Sequence, residues 1–214
     1  LNQKNSKALI HIDCVQAFGK ININVSTLGA DLLSISAHKI HGIKGAGALY
    51  VKKGINLPPF LLGGGQEKGL RSGTEAVPAI AAFGAAVKAL PNTAYAFKKV
   101  AEINDYCRDG LQQFDNVIIN SPKNATPYIL NLSFLGYRSE TLLHFLERSL
   151  ICVSSGSACS KGKGSYVLRE MGLKNDRVDS ALRLSFSANT TTDEIDAFLT
   201  ALKGATSLVR NKNR

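Results

Sequence analysis

Three short apolar runs, Ala8 to Asp13 (ALIHID), Leu32 to Ala37 (LLSISA) and Ala48 to Val51 (ALYV), each give way to polar or glycine-rich residues. Runs of this length with little polar alternation predict buried strands of an α/β sheet. The passage Leu61 to Thr74 (LLGGGQEKGLRSGT) is too polar and glycine-rich for core, and it leads into a helical segment from Ala76 to Leu90. After Pro91 and Asn92 the pattern predicts an amphipathic helix over Tyr95 to Phe114, strands over Val117 to Asn120 and Tyr128 to Phe134, and a helix capped by Ser139 that runs to about Arg148. Strands over Ile151 to Ser154 and Ala181 to Phe186 follow. Thr191-Thr192-Asp193-Glu194 has the spacing of a capping box and opens a last helix to about Val209. The expected fold class is α/β, with one domain over residues 1–90 and a second α+β unit over residues 91–214.

Composition narrows the classes. The 214 residues are 44% hydrophobic and 20% charged, which fits a globular chain with enough length to bury a core and excludes disorder and fibrous repeats. The longest apolar stretch, Ala76 to Val87, is interrupted by Pro78 and falls well short of the ~20 residues that a membrane span needs. Leu1 to Lys7 is polar, with none of the basic-then-apolar order of a signal peptide, and does not begin with Met, so the chain reads as a piece of something longer. The formal net charge is +10. The nine cations of residues 1–74 form no aromatic-rich basic stripe, which favours small anionic ligands over nucleic acid. Cys14, Cys107, Cys152 and Cys159 are too irregularly spaced for a disulfide framework or a zinc site, and a reducing cytoplasm is the expected compartment.

The richest chemistry lies in Asp31 to Gly47 (DLLSISAHKIHGIKGAG), where a strand pattern runs out into Ser36, His38 and Lys39. Strand ends are where α/β proteins place reactive groups, and a lysine there can attack a carbonyl to form a Schiff base. Asp13 and Gln16, in HIDCVQAFGK, end the neighbouring strand. A carboxylate, an amide and a lysine in one crevice suit pyridoxal phosphate, whose ring nitrogen stays protonated only beside a buried carboxylate. Each residue also has an ordinary reading: a solvated lysine, a turn-capping Asp13, a structural His38. Arg183, in ALRLSFS, is a charged residue in an apolar strand, where burial demands an anionic partner, either a ligand or an internal salt bridge.

Taken in order, HIDCVQAFGK, SISAHKIHGIKGAGALYV, GGGQEKGLRSGT, SSGSAC and RLSFS resemble the cysteine desulfurases, pyridoxal-phosphate enzymes of the class V aminotransferase group. These motifs extend from about residue 8 to residue 200. The resemblance implies the carboxy-terminal part of an aspartate aminotransferase-like large domain, followed by a complete small α+β domain carrying the SSGSAC cysteine. It implies pyridoxal 5′-phosphate as cofactor, with Lys39 as the lysine joined to it, Asp13 on the ring nitrogen, Gln16 on the ring hydroxyl, and Ser36 and His38 on the phosphate. Thr74 would reach the phosphate of a partner subunit in a homodimer, and Arg183 would clamp the substrate carboxylate. Cys159 would take sulfur from L-cysteine as a persulfide, leaving L-alanine, and pass it to an iron–sulfur scaffold or another sulfur acceptor. Its Ser/Gly-rich setting predicts an exposed mobile loop, Lys161 and Lys163 favour the thiolate, and in this family the same cysteine can help to hold a cluster. Cys14, Cys107 and Cys152 read as small core or surface residues.

The resemblance also places residue 1 near the middle of the family's chain, so an amino-terminal half is expected as a separate or removed piece. It makes the segment after Cys159, Ser160 to Gly164, short for the housekeeping enzymes. Two other functions share much of this logic: another class V enzyme, such as a selenocysteine lyase or aminotransferase, and a non-catalytic fragment that binds a desulfurase chain or a scaffold protein. A transaminase has no use for Cys159.

Overall fold

The structure, a computed structural model, describes residues 8–155 and 165–205. The chain divides into two compact units, Leu1–Tyr95 and Ala96–Arg214. In the first, β1 (His11–Asp13) is followed by the short helix α1 (Val25–Leu28), β2 (Leu32–Ser36), a 3-10 turn over Ala37–Ile40, β3 (Gly47–Val51) and α2 (Val77–Lys88). The sheet runs β1-β2-β3, with β1 parallel to β2 and β3 antiparallel to it. Asn24 starts α1 by accepting from the amides of Ser26 and Thr27, and Gly29 ends it in the left-handed conformation that costs glycine little. The passage from Leu61 onward folds back on itself through a bridge between Leu61 and Arg71, with Gly73 donating to Gln66 Oε1.

The core of this unit is small. Ala37, Ile40 and Phe83 are buried, with Phe18, Ile35, Ala86 and Leu90 packed against them. The expectation of buried strands is corrected here. All of β3 but Val51 is exposed, Leu49 by 50%, and both His11 and Asp13 of β1 are exposed. Parallel strands are ordinarily covered on both faces. The described residues of this unit offer as helices only α2 and the four-residue α1, and the apolar pattern of these strands is only partly satisfied.

The second unit is built around a four-stranded sheet in the order β4-β5-β7-β6, with every neighbouring pair antiparallel. Its elements are α3 (Thr93–Leu111, entering from the first unit), β4 (Val117–Ile119), β5 (Ile129–Phe134), α4 (Ser139–Glu147), β6 (Ser154–Ser155), α5 (Tyr166–Glu170), α6 (Asn175–Asp179), β7 (Ala181–Ser185) and α7 (Thr192–Gly204). Leu130, Leu132 and Phe134 of β5 and Leu182 and Leu184 of β7 point to one face. There they meet Val100 and Cys107 of α3, Leu142 and Leu146 of α4, and Phe198 and Leu202 of α7. Each such side chain contributes ~1.5–3 kcal/mol by leaving water, which makes this the stronger core.

Local chemistry explains the helix starts. Thr191 Oγ1 accepts from the Glu194 amide at 3.3 Å, and Glu194 Oε2 accepts from the Thr191 amide at 3.0 Å, so the capping box forms as its sequence predicts. Ser139, expected as a cap, is instead the first residue of α4, with Arg138 at the cap position and no side-chain cap bond. Strand β6 is shorter and later than expected, and α5 and α6 have no counterpart in the hydrophobic pattern because five-residue helices carry too few apolar positions to show a period. No helix among the described residues is long and apolar enough to cross a membrane.

Cys107 is fully buried against this core, and burial pushes its thiol up to about 12. Burial, helped by the charge of Asp13, raises Cys14 as well. Both thiols should therefore stay unlabelled by iodoacetamide at pH 8 in the native protein and react once it is unfolded, read by peptide mass. Labelling of Cys107 in the native protein would contradict this packing.

Candidate active site

The parallel register of β1 and β2 sets His11 against Leu32, Ile12 against Leu33 and Asp13 against Ser34. Both strands therefore end at one edge of the sheet. Asp13 turns the chain there: its Oδ1 accepts from the Val15 amide at 2.9 Å, which fixes the carboxylate and leaves Oδ2 without a partner among the described residues. The turn-capping reading of Asp13 is thus realised by one oxygen only. Gln16 stands exposed in the same turn. At the end of β2, Ser36 Oγ and His38 Nδ1 lie 2.7 Å apart, drawn together by the 3-10 turn that also carries Lys39. Ala37 and Ile40 anchor that turn in the core while His38 is exposed and Lys39 half-buried. Asp13, expected as a buried carboxylate, is exposed within this chain, because no described residue covers that edge.

A second lysine belongs to this edge and escaped sequence reasoning. Burial, and then the positive charge of Lys39, hold the amine of Lys20 below its ordinary range. Lys20 closes the motif HIDCVQAFGK, and a lone lysine after a glycine carries no signal of its own. Two ammonium groups within electrostatic reach of each other attract an anion. Gly42 fits the same turn closely. A Cβ there would lie 2.9 Å from the Ala37 carbonyl oxygen and 3.1 Å from Ala86 Cβ on α2, so the glycine of HKIHG is required by close approach. Thr74 is exposed between the Leu61–Arg71 bridge and α2.

In the second unit, Arg183 occupies β7 between Asn131 on β5 and Ser154 on β6. Side chains alternate along a strand. Leu182 and Leu184 fill the core, and Arg183 faces the other way into a cavity of about 310 Å³ that Asn120, Asn131, Ser154, Ser165 and Met171 also line. The expectation of a buried Arg183 is corrected: it is exposed, and among the described residues no carboxylate pairs with it. The internal salt bridge is not formed among the described residues because the apolar run around Arg183 is a strand buried on one face only. Cys159, with Lys161 and Lys163, lies outside the described residues.

The model of the family described as aminotransferase class-V matches residues 2–198. The chain belongs to the class-V aminotransferase family. Among curated proteins it is 39% identical over 211 residues to a protein named cysteine desulfurase IscS from Acinetobacter baumannii, covering 96% of this chain and 52% of the relative. It is 38% identical over 203 residues to cysteine desulfurase 2 of Trichormus variabilis, covering 93% of this chain and 51% of that protein. A solved NifS-like protein from Rickettsia africae superposes with a TM-score of 0.84 at 35% identity, over 96% of this chain and 56% of the other. The chain spans about half the length of the relatives it matches. Its mixed α/β architecture is thus part of the larger class-V fold.

Members of this family are pyridoxal-phosphate enzymes. The donor set at the β1–β2 edge fits that cofactor: a carboxylate with a free oxygen for a pyridinium nitrogen, a hydroxyl–imidazole pair and ammonium charge for a phosphate, and a primary amine for an aldehyde.

If Gly42 is required by close approach, Gly42→Ala should cost about 1–3 kcal/mol in denaturant unfolding of the protein that carries this chain, through displacement of the Ala37–Ile40 turn. Retention of the cofactor on dialysis should fall with it. An unfolding midpoint equal to that of the parent would show that the turn tolerates a Cβ.

Proposed function

We propose that this chain is the carboxy-terminal part of a cysteine desulfurase, removing sulfur from L-cysteine to give L-alanine and a persulfide on Cys159. The observation that carries the reading is the edge formed by β1 and β2, where Asp13 and the Ser36–His38 pair flank Lys39. The resemblance of SSGSAC to the desulfurase motif, and 38–39% identity to proteins bearing that name, support a desulfurase over a transaminase. In this reading residues 1–90 are the carboxy-terminal part of the cofactor-binding domain, and residues 91–214 are the small domain with Cys159. An amino-terminal half, as in the longer relatives, would cover the exposed faces of β1 and β3.

Pyridoxal phosphate, when bound, supplies an electron sink for the carbons beside the substrate nitrogen. Lys39 Nζ holds the cofactor covalently. Asp13 Oδ2 keeps a proton on the ring nitrogen, Gln16 donates to the ring hydroxyl, and Ser36 and His38 bind the phosphate. Arg183 holds the substrate carboxylate with two parallel N–H donors. The Cys159 thiolate takes the sulfur: its attack forms an S–S bond as the C–S bond of L-cysteine breaks, the electron pair of that bond stays with the three-carbon fragment, and the fragment takes up a proton and leaves as L-alanine. Thr74 reaches the phosphate of a second subunit in a homodimer, and the persulfide passes to an iron–sulfur scaffold or a thio-modification acceptor in the cytoplasm. As a minor role, Cys159 also helps to hold a cluster on the scaffold protein.

The test uses the full-length protein with L-cysteine as substrate. Cys159→Ala should bind L-cysteine near the parent affinity yet release alanine at least ~100-fold more slowly, whereas Arg183→Ala should raise KM by roughly 10–100-fold through loss of a charge-assisted pair. Full turnover by Cys159→Ala would refute the desulfurase reading and leave a lyase or transaminase.

A further inference from the structure

One wall of the Arg183 cavity carries a relay of hydrogen bonds whose direction is fixed at its far end. A guanidinium can only donate. Arg177 Nε donates to Asn120 Oδ1 at 3.1 Å, and a terminal nitrogen of the same guanidinium donates to that oxygen too. Asn120 must therefore present its NH2 group at the opposite side. Its two hydrogens go to Asn131 Oδ1 at 2.7 Å and to Ser133 Oγ at 2.8 Å. Ser133 passes its own hydroxyl hydrogen to the Arg177 carbonyl at 2.7 Å, which closes the ring. Turning Asn120 over would set an NH2 group against the guanidinium and cost several hydrogen bonds at once.

The consequence falls on Asn131. Its Oδ1 is engaged by Asn120, so Nδ2 is the free end of the relay, and among the described residues nothing accepts from it. Asn131 is the cross-strand neighbour of Arg183, and both line the same cavity. Two donors, one charged and one neutral, stand side by side on adjacent strands. That pair suits a carboxylate, whose two oxygens accept several hydrogen bonds in one plane.

We propose that Asn131 is a second carboxylate-binding residue of this cavity, and that Arg177, acting through Asn120, is a positioning residue that keeps the Asn131 amide nitrogen rather than its oxygen toward the ligand. This rests on the reading of Arg183 as the substrate-carboxylate residue. The relay explains why polar residues stand at alternate positions in ILNLSF: Asn131 and Ser133 share the face that Arg183 occupies on β7.

The experiment measures KM for L-cysteine and the inhibition constant of propionate, a carboxylate without amine or thiol, on the full-length protein. Asn120→Asp keeps an acceptor for Arg177 but turns an oxygen toward Asn131, so the Asn131 amide reverses and offers its own oxygen to the anion. Asn131→Leu removes the donor without adding charge and serves if Asn120→Asp fails to fold. In each, both constants should rise about ten-fold or more, the loss expected for one hydrogen bond to a charged group, with the change in KM and not in kcat. A merely structural relay would lower the melting temperature and leave the propionate constant alone. Parent-like constants in both variants, with Arg183→Ala impaired, would overturn this inference and spare the role of Arg183. Parent-like propionate binding by Arg183→Ala would remove the reading beneath it as well.

Discussion

The parallel pairing of β1 with β2 is the constraint on which the candidate cofactor site depends. Had the two strands run antiparallel, Asp13 and Lys39 would emerge at opposite edges of the sheet. In the observed register, with Asp13 beside Ser34, both strands spill their polar ends onto one edge, although 26 positions separate the two residues in sequence (39 − 13). The backbone then does the fine placement. A 3-10 turn too short to carry a hydrophobic face is pinned by Ala37 and Ile40, and it turns His38 back onto Ser36 while leaving Lys39 half-buried. Gly42 lets α2 approach closely enough to hold that turn in place.

The second unit solves a different problem with the two-residue period of a strand. Burying Leu182 and Leu184 of β7 on α3, α4 and α7 forces Arg183 to the other face, where β5 and β6 flank it with polar residues instead of carboxylates. Among the described residues, a charged side chain thereby sits in the middle of a sheet without an ion pair, and its exposure spares it the desolvation that would demand one. Its freedom to meet a ligand is a by-product of the packing that stabilises the unit.

Much of this was legible in the sequence because it rested on strong local signals. Strands β1, β2, β5 and β7, the long helix α3 and the capping box of α7 all follow from apolar runs, from amphipathic period or from side-chain chemistry confined to a few neighbours. The residues of the β1–β2 edge could be picked out since Ser36, His38 and Lys39 interrupt an apolar run at its end. What stayed hidden depended on partners distant in sequence. Lys20 matters through Lys39, and Asn131 through Asn120 and Arg177, 57 positions away from Asn120. The exposure of Arg183 is hidden from the sequence for the same reason. An apolar neighbourhood in sequence does not tell which face of a strand is covered, and neither does it reveal that β3 lies largely exposed.

The central claim, that the β1–β2 edge holds pyridoxal phosphate through Lys39, is tested most directly by borohydride reduction of the full-length protein loaded with cofactor, followed by peptide mapping. The account predicts a pyridoxyl group on Lys39, with Lys20 and Lys44 unmodified. A pyridoxyl group on Lys20 or Lys44, or none on any lysine of this chain while cofactor remains bound, would contradict it.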